Sequence, residues 1–376
     1  MQPGERHEGL DRLKAGVTLL VVLHHTAITY GAMGGWFYRE LQPDGSPSSL
    51  LLVLFCTLNQ AWFMGLFFLL AGYFTPGAIE RKTAGAFVRD RLLRLGLPLL
   101  AFGLLLGPLT IALVQHTLRD RAVGDVFAAL WQRRQFENGP LWFVQALLIF
   151  SGVALLWHRL RPRAPSASPF PSNLALLLAA LLCGAVAVVL RLWWPVGKNV
   201  WGLQLGYFAS YVLLFRTGYA AAQRGWLEQL TRRAPLAQVR LWRNMAWLAL
   251  PVLAVPMLLA QVVPAFAGDP TGGWSLPALL YAFWEPFVAW GVILVLLARA
   301  VRPGAPASSP LWQRLSRRAY AIFVIHPLPV VAIALAWRHV QAPALIKFAV
   351  TGSLACVACY VIAGLLLRVP GIRRVL

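Results

Sequence analysis

Residues 10–30 read LDRLKAGVTLLVVLHHTAITY, an apolar segment with Lys14 near its start and two adjacent histidines, His24 and His25, inside it. As a helix it is long enough to enter a bilayer. Lys14 and His25 are eleven residues apart, so they share one helix face, roughly 16 Å apart along the axis. Ionisable groups inside a membrane helix are costly and usually face a cavity or a partner. The segment therefore predicts a membrane helix with a functional polar face. The alternative is that Lys14 only reaches back to the interface and the histidines only bond neighbouring helices.

The composition indicates an integral membrane protein. Of the 376 residues, 59% are hydrophobic and only 12% are charged, which suits a bundle of spanning helices rather than a soluble domain. The net charge of +21 would also suit a nucleic-acid-binding protein. The basic residues lie mainly between apolar segments, however, where a membrane protein places them. We therefore expect membrane lipid, and no nucleic acid, among the partners.

Ten apolar segments follow one another along the chain, and most have the length of a membrane-spanning helix. They are 13–33, 50–74, 95–114, 141–157, 173–193, 202–222, 245–263, 276–298, 319–337 and 345–367. We expect an all-α fold of about ten transmembrane helices, forming a single membrane domain over residues 1–376 without an appended soluble domain. The Pro- and Ser-rich stretches 161–172 and 303–310 are predicted to be cytoplasmic linkers without regular structure.

The basic residues predict the orientation of these segments. With the N-terminus inside, 25 Lys and Arg residues lie on the cytoplasmic side and 9 on the other, together the 34 of the chain. Cytoplasmic loops of membrane proteins carry such an excess of Lys and Arg. We therefore expect both termini in the cytoplasm.

Two arginines precede the third apolar segment in FVRDRLLRLGLPLL. Arg91 and Arg94 are three residues apart, so their side chains project from one helix face at the membrane surface. Guanidinium groups bind phosphates through two parallel hydrogen bonds and keep their charge. The pair is therefore a candidate anion-docking site, although such arginines also serve only as topology anchors.

Two further ionisable residues lie inside predicted spans. His326, in SRRAYAIFVIHPLPV, is followed by Pro327 and Pro329, which interrupt helical hydrogen bonding and predict a kink. Glu285, in YAFWEPFVAW, lies in the outer half of its span and needs a partner or a wet cavity. The alternative for each residue is that it only bonds a neighbouring helix. The four cysteines have no nearby His or acidic partners in sequence, so no metal is expected.

Five motifs in this order resemble acyltransferase family 3. They are the Lys14-x10-His25 spacing after an Asp-Arg-Leu entry, FFLLAGYF, Arg91-x-x-Arg94, GPLWFVQALLIF and SRRAYAIFVIHP. The resemblance covers essentially the whole chain and agrees with ten spans. It implies transfer of an acyl group, usually acetyl, from cytoplasmic acyl-CoA to an extracytoplasmic carbohydrate. It also implies that His25 is the main catalytic residue and that Lys14, Arg91 and Arg94 bind the donor. The second histidine, His24, departs from the family pattern.

We therefore expect a membrane O-acyltransferase of the bacterial inner membrane that modifies a polysaccharide or another glycoconjugate. The predicted catalytic residues are His25, His24 and Glu285, and His326 is grouped with the donor-binding residues. The expected donor is acetyl-CoA or a related acyl-CoA, whose extended pantetheine arm can reach roughly 16 Å from Lys14 to His25. His25 either deprotonates the acceptor hydroxyl or carries the acyl group itself.

Two other classes of protein are compatible with parts of the pattern. A transporter or flippase for an anionic glycolipid would also use a basic entrance, membrane histidines and broken helices. The sequence contains no paired half-repeats and no series of membrane carboxylates for ion coupling, so this class is disfavoured. A purely structural membrane partner would bury His25 and Glu285 at a high cost without using them.

Overall fold

The computed structural model describes residues 8–160, 166–259, 262–303 and 309–376. These residues form helices and no β-strand, which confirms the predicted all-α class. Residues 166–172 of the first predicted linker have no regular structure. Positions 161–165 and 304–308 of the two linkers lie outside the described residues. Three of the 25 basic residues predicted on the cytoplasmic side, Arg6, Arg161 and Arg163, also lie outside them.

The described residues form twelve main helices, numbered in chain order. They are α1 (Glu8–Thr29), α2 (Pro47–Glu80), α3 (Ala84–Arg119), α4 (Val123–Gln132), α5 (Trp142–Leu160), α6 (Asn173–Trp193), α7 (Phe208–Arg224), α8 (Arg233–Leu259), α9 (Leu276–Ala300), α10 (Pro310–Ile325), α11 (Pro327–Ala336) and α12 (Ala344–Leu366). Two shorter helices cover Trp226–Gln229 and Pro370–Arg373.

Six helices in the described part of the chain are long and apolar enough to cross a membrane, namely α2, α3, α5, α6, α9 and α12. The consecutive helices α10 and α11 qualify together as a seventh span, broken by a bend of 70°. Helices α1, α7 and α8 occupy three more of the ten predicted segments but are not among these spans. Among the described residues there are thus six or seven candidate spans, and the ten predicted from the sequence are not confirmed.

One face of α12 is apolar and exposed on the surface of the protein. Leu354, Val357, Val361 and Leu365 recur every three or four residues and expose 52, 62, 49 and 52% of their surfaces. A helix in water would place polar side chains along such a face. An apolar face this exposed is suited to hydrocarbon, and the protein is therefore an integral membrane protein.

The chain divides into two compact units, and the first contains Gln60–Ala84 and Gly152–Ala307 together with the N-terminal residues up to Leu10. In this unit α8 packs along α9, and α9 packs along α6. The second half of α2 meets α7 through glycines. A methyl group on Gly72 would lie 2.0 Å from the Phe215 carbonyl oxygen, and one on Gly218 would lie 1.9 Å from that of Leu69. Small residues permit such close helix contacts in membranes.

The second unit contains Asp11–Asn59, Gly85–Ser151 and Ser308–Leu376. It holds nearly all of α1 and α3, the first half of α2, and the helices α4 and α10 to α12. In this unit α12 packs against both α10 and α11, and α11 also packs against the last turns of α3. All the predicted site residues except Glu285 belong to this unit.

Helix α3 contains two π-helical turns, Leu92–Gly96 and Phe102–Leu106. Proline follows shortly after each turn, at Pro98 and Pro108. Because proline has no backbone N–H, it cannot donate to the carbonyl four residues earlier, and the helix widens locally. Such turns often occur at functional sites, and the first of these includes Arg94.

Candidate functional site

The structure brings together two histidines that lie 301 positions apart in the sequence. His25 is on α1, and His326 lies at the junction of α10 and α11. The Nε2 atom of His326 is 3.0 Å from the Nδ1 atom of His25, and His326 is completely buried. The His24 ring stands edge-on to His25 with a centroid distance of 5.5 Å. Of the adjacent histidines, His25 therefore makes the hydrogen bond to His326.

The bend after α10 explains how His326 is held. Pro327 lacks the N–H that would donate to the Phe323 carbonyl four residues earlier. His326 replaces this donor, because its Nδ1 atom lies 2.7 Å from the Phe323 carbonyl oxygen. The predicted kink at these prolines is confirmed by the 70° angle between α10 and α11. The broken helix thereby fixes the orientation of one imidazole.

This hydrogen-bond chain determines where the protons are in the neutral histidine pair. A carbonyl oxygen only accepts, so the Nδ1 atom of His326 carries a hydrogen and its Nε2 atom has a lone pair. The Nδ1 atom of His25 must then be the donor in the contact between the rings. The Nε2 atom of His25 is left with a lone pair, as a general base or a nucleophile requires.

An indole ring covers both imidazoles. Trp36 stacks on His25 with a centroid distance of 4.1 Å and an angle of 14°, and it lies 5.9 Å from His326 at the same angle. An aromatic face attracts a cation placed over it. Trp36 therefore favours the imidazolium that forms when either histidine takes up a proton.

Trp36 lies in the loop between α1 and α2, whose position is set by contacts on both sides. The backbone N–H groups of Glu40 and Leu41 donate to the Thr29 carbonyl at 2.9 and 3.2 Å. The Glu40 carboxylate also forms an ion pair with Lys347 of α12, and this lysine is buried. Sequence reasoning missed this loop. Its only signal was an aromatic and charged run, WFYRE, after Gly34 and Gly35.

The arginine pair is connected to the helix that carries His326. Pro98 cannot donate to the Arg94 carbonyl, and the Tyr320 hydroxyl of α10 does so instead at 2.7 Å. Tyr320 precedes His326 by six residues, about 9 Å along a helix. The Arg94 backbone therefore lies beside α10, at a position about 1.7 helical turns before His326.

The two guanidinium groups have different surroundings. Arg94 is paired with Asp90 at 3.2 Å and its side chain is 63% exposed. Arg91 lies over the Phe87 ring at 5.0 Å. Its Nε atom is buried and has no hydrogen-bond partner among the residues that the structure describes. Arg91 thus retains a donor for a ligand, while Arg94 offers an exposed charge.

Lys14 lies near one end of the same helix pair. Its ammonium group is 2.7 Å from the Asp11 carboxylate and is partly exposed. Two residues later, a methyl group on Gly16 would be 3.9 Å from the Trp312 ring of α10. Because α1 touches α10 at both Gly16 and His25, the two helices run in the same direction. Lys14 and the start of α10 are therefore at the end remote from the histidines.

Glu285 belongs to the other unit and has its partner there. It is buried on α9 and forms an ion pair with Arg191 of α6. The Nε atom of Arg191 also donates to the Gly206 carbonyl at 3.0 Å, and its guanidinium lies 5.0 Å from the Tyr281 ring. This arrangement fits the alternative of a carboxylate that bonds a neighbouring helix. The catalytic role of Glu285 stays a prediction.

Breaking this ion pair should destabilise the first unit. We expect Arg191→Ala to lower the free energy of unfolding by about 3–5 kcal/mol, because Glu285 would remain buried without a partner. The double variant Arg191→Leu/Glu285→Leu should recover most of this loss. Thermal unfolding in detergent measures both. A single variant as stable as the wild type would show that the pair has no structural role.

The comparison with known families agrees with these motifs. The sequence model of acyltransferase family 3, described as an acyltransferase domain, matches residues 7–367. Comparison with curated proteins and with solved structures gave no match. The match includes His25, His326, Lys14 and both arginines, and it extends over both compact units. The chain therefore belongs to acyltransferase family 3 and is a membrane acyltransferase.

Proposed function

We propose that the protein transfers an acyl group, acetyl in the simplest case, from cytoplasmic acyl-CoA to a hydroxyl of an extracytoplasmic carbohydrate or glycoconjugate. The observation that carries this proposal is the 3.0 Å contact between the Nε2 atom of His326 and the Nδ1 atom of His25. With His326 donating to the Phe323 carbonyl, this contact leaves a lone pair on the Nε2 atom of His25 in the neutral pair. Either route of acyl transfer starts from such a lone pair.

The reaction balances with the residues of this site. In the general-base route, the Nε2 atom of His25 takes the acceptor proton while the acceptor oxygen attacks the thioester carbonyl. The carbon–sulfur bond then breaks, and the proton passes to the departing CoA sulfur. In the covalent route, Nε2 attacks the thioester carbonyl, and the carbon–sulfur bond breaks to release the CoA thiolate. The acceptor oxygen then attacks the acyl carbon, the bond from this carbon to Nε2 breaks, and the acceptor proton passes by way of the freed Nε2 atom to the CoA sulfur. In both routes, His326 fixes the tautomer of His25, and Trp36 stabilises the cation that develops on the ring.

The proposed donor site uses the basic residues of the second unit. The nucleotide phosphates of acyl-CoA are anionic and suit the guanidinium groups of Arg91 and Arg94, with Lys14 near the same end of α1. The narrow pantetheine arm then extends along α10 past Tyr320 towards His25. The connection from Arg94 through Tyr320 to α10 supports this path.

The proposed topology has ten spans, with both termini in the cytoplasm of a bacterium and the protein in its inner membrane. In that order the first and ninth segments cross in the same direction, and the parallel contacts of α1 and α10 agree with this. Lys14 then faces the cytoplasm, while the loop with Trp36 lies at the outer end of α1. In this proposal the reaction takes place in the membrane domain, either by itself or with a partner. The transporter alternative loses its support because the family is one of acyltransferases.

Comparative glycan mass spectrometry tests the proposed function. Cells that produce the protein should contain a glycan that is heavier by one acyl group than the same glycan of cells without it. Cells that produce the His25→Ala variant should match the cells without the protein. Identical glycan, lipid-linked sugar and glycolipid profiles in all three strains would contradict the proposal.

The arginine pair should determine donor affinity. We expect Arg91→Ala and Arg94→Ala each to weaken CoA binding by about 10- to 100-fold, the range for losing a charge-assisted hydrogen bond. Lysine at either position should restore affinity only in part, because a point charge does not replace a planar fork. Calorimetry in detergent measures this, with Arg119→Ala as the control because Arg119 is exposed at the other end of α3. If the double variant bound CoA with unchanged affinity, the two arginines would serve only to set the orientation of the helix in the membrane.

A further inference from the structure

The loop that covers His25 contains polar atoms left without partners. The Nε1 atom of Trp36, the Nε atom of Arg39 and the Oε2 atom of Glu40 are buried, and none has a hydrogen-bond partner within the described parts of the chain. Leaving a buried polar atom unpaired is unfavourable. Three such atoms lie within five consecutive residues, and the first of these residues stacks on the proposed catalytic ring. They point to a ligand that completes their hydrogen bonds.

The loop is otherwise well anchored, so the unpaired atoms do not reflect a lack of structure. The Nη2 atom of Arg39 donates to the Ala32 carbonyl at 3.1 Å, and Lys347 is paired with the other oxygen of Glu40. Phe37 packs against Gly139, where a methyl group would lie 2.9 Å from its ring. Trp36, Arg39 and Glu40 thus each make contacts that hold the loop in place, and each still has one polar atom without a hydrogen-bond partner among the described residues.

The chemistry of these atoms selects the ligand class. Trp36 and Arg39 present N–H donors, and Glu40 presents an acceptor. Burial and the nearby Glu40 carboxylate raise the pKa of Tyr38 to about 12, so the Tyr38 hydroxyl beside this carboxylate stays protonated. A carboxylate or a fully ionised phosphate only accepts hydrogen bonds and would leave Glu40 unpaired. A sugar hydroxyl both donates and accepts, and neighbouring hydroxyls on one ring match donors and an acceptor together.

Glycines with positive φ angles flank the three residues. Gly31 and Gly34 precede Trp36 with φ angles of 112° and 141°, and Gly45 follows Glu40 with a φ of 75°. Glycine adopts these angles without the steric cost that other residues incur. Because the three unpaired atoms are buried, a ligand requires the loop to shift, and these glycines are the positions where a change of backbone angles costs least.

We infer that Trp36, Arg39 and Glu40 bind the hydroxyl groups of the carbohydrate acceptor and hold one of them beside His25. This inference rests on the proposed function, because it places the acceptor of that reaction. It goes beyond it by naming the residues that recognise the acceptor and by specifying recognition through hydroxyl groups rather than through an anionic group.

Binding of methyl glycosides tests the inference independently of catalysis. The probes are the methyl glycosides of glucose, galactose and mannose, added to the full-length protein in lipid nanodiscs and followed by saturation-transfer NMR. Trp36→Phe keeps an aromatic ring and removes the N–H with its five-membered ring, and Arg39→Lys keeps the charge. We expect each variant to weaken binding of the best glycoside about fivefold, the effect of losing one hydrogen bond. Trp157→Phe is the control, because Trp157 is an exposed residue of α5.

The outcomes separate this inference from the proposed function. Release of CoA from acetyl-CoA by the wild type, and not by His25→Ala, reports on the proposed function alone. Unchanged glycoside binding in both loop variants would overturn the inference, as would a wild type that binds none of the glycosides. Competition by inorganic phosphate equal to that of the sugars would also overturn it, because the site would then select anions.

Discussion

The His25→Ala variant should insert and fold normally and lose acyl transfer by at least 10²- to 10⁴-fold, the usual contribution of a general base. His25 supplies the only lone pair that the hydrogen-bond chain to His326 leaves on this pair of rings. If the ring carries the acyl group instead, the loss is larger still. Transfer of label from radioactive acetyl-CoA to membrane glycans measures the effect.

Two histidine variants complete this experiment. His339→Ala is the matched control, because His339 is exposed in the same unit, and it should keep full activity. His24→Ala should keep most of its activity, since the His24 ring meets His25 only edge-on. An inactive His24→Ala beside an active His25→Ala would show that the catalytic role belongs to the other member of the pair.

The second large effect is expected at His326, which acts through His25 as a positioning residue. His326→Ala removes the Nε2 acceptor for the Nδ1 hydrogen of His25 and leaves the Val21 backbone as a remaining hydrogen-bond partner of the ring. The tautomer and orientation of His25 are then held less firmly. We expect kcat to fall by about 10²-fold while the KM for acyl-CoA changes little. His326→Gln supplies an amide oxygen as a new acceptor and should recover part of this loss.

The rescue separates positioning from a merely structural role. If His326 only stabilised the bend between α10 and α11, alanine and glutamine would reduce the amount of folded protein and leave kcat per folded molecule unchanged. Kinetics normalised to folded protein, measured by size-exclusion chromatography in detergent, decides between the two. Equal kcat values in wild type, His326→Ala and His326→Gln would contradict the proposed tautomer control.

Two prolines organise the site by freeing carbonyl groups. Pro98 frees the Arg94 carbonyl, which accepts from Tyr320, and Pro327 frees the Phe323 carbonyl, which accepts from His326. Inside a membrane every such carbonyl needs a partner. In this protein both partners belong to the proposed site, so the broken helices connect the arginine pair to α10 and orient the histidine beside His25.

Local patterns in the sequence were sufficient for part of this account. The eleven-residue spacing of Lys14 and His25 predicts from helix periodicity that they share one helix face. The kink at Pro327 is predicted because proline lacks the backbone N–H. Length and composition alone do not identify every span of the proposed topology. Helix α1 is an example, because its charged start and its histidines make it more polar than the six clear spans.

Contacts between distant segments could not be predicted. Nothing local in the sequence indicates that His25 bonds His326, that Trp36 covers both rings, or that Tyr320 donates to Arg94. Glu285 illustrates the same limit, since its need for a partner was foreseen and the identity of that partner, Arg191, was not. Local patterns identify residues whose side chains are chemically reactive or charged. The pairing of these residues depends on how the helices pack.

Sealed vesicles of known orientation test the central claim most directly. The protein is reconstituted with the methyl glycosides trapped inside, and acetyl-CoA is added outside. Cleavage of a C-terminal tag by external protease reports the orientation. Vesicles with the cytoplasmic side outward should form acetylated glycoside in the lumen, and vesicles with His25→Ala should form none. Acetylated product found only on the side of acetyl-CoA, when glycoside is present on both sides, would contradict transfer across the membrane.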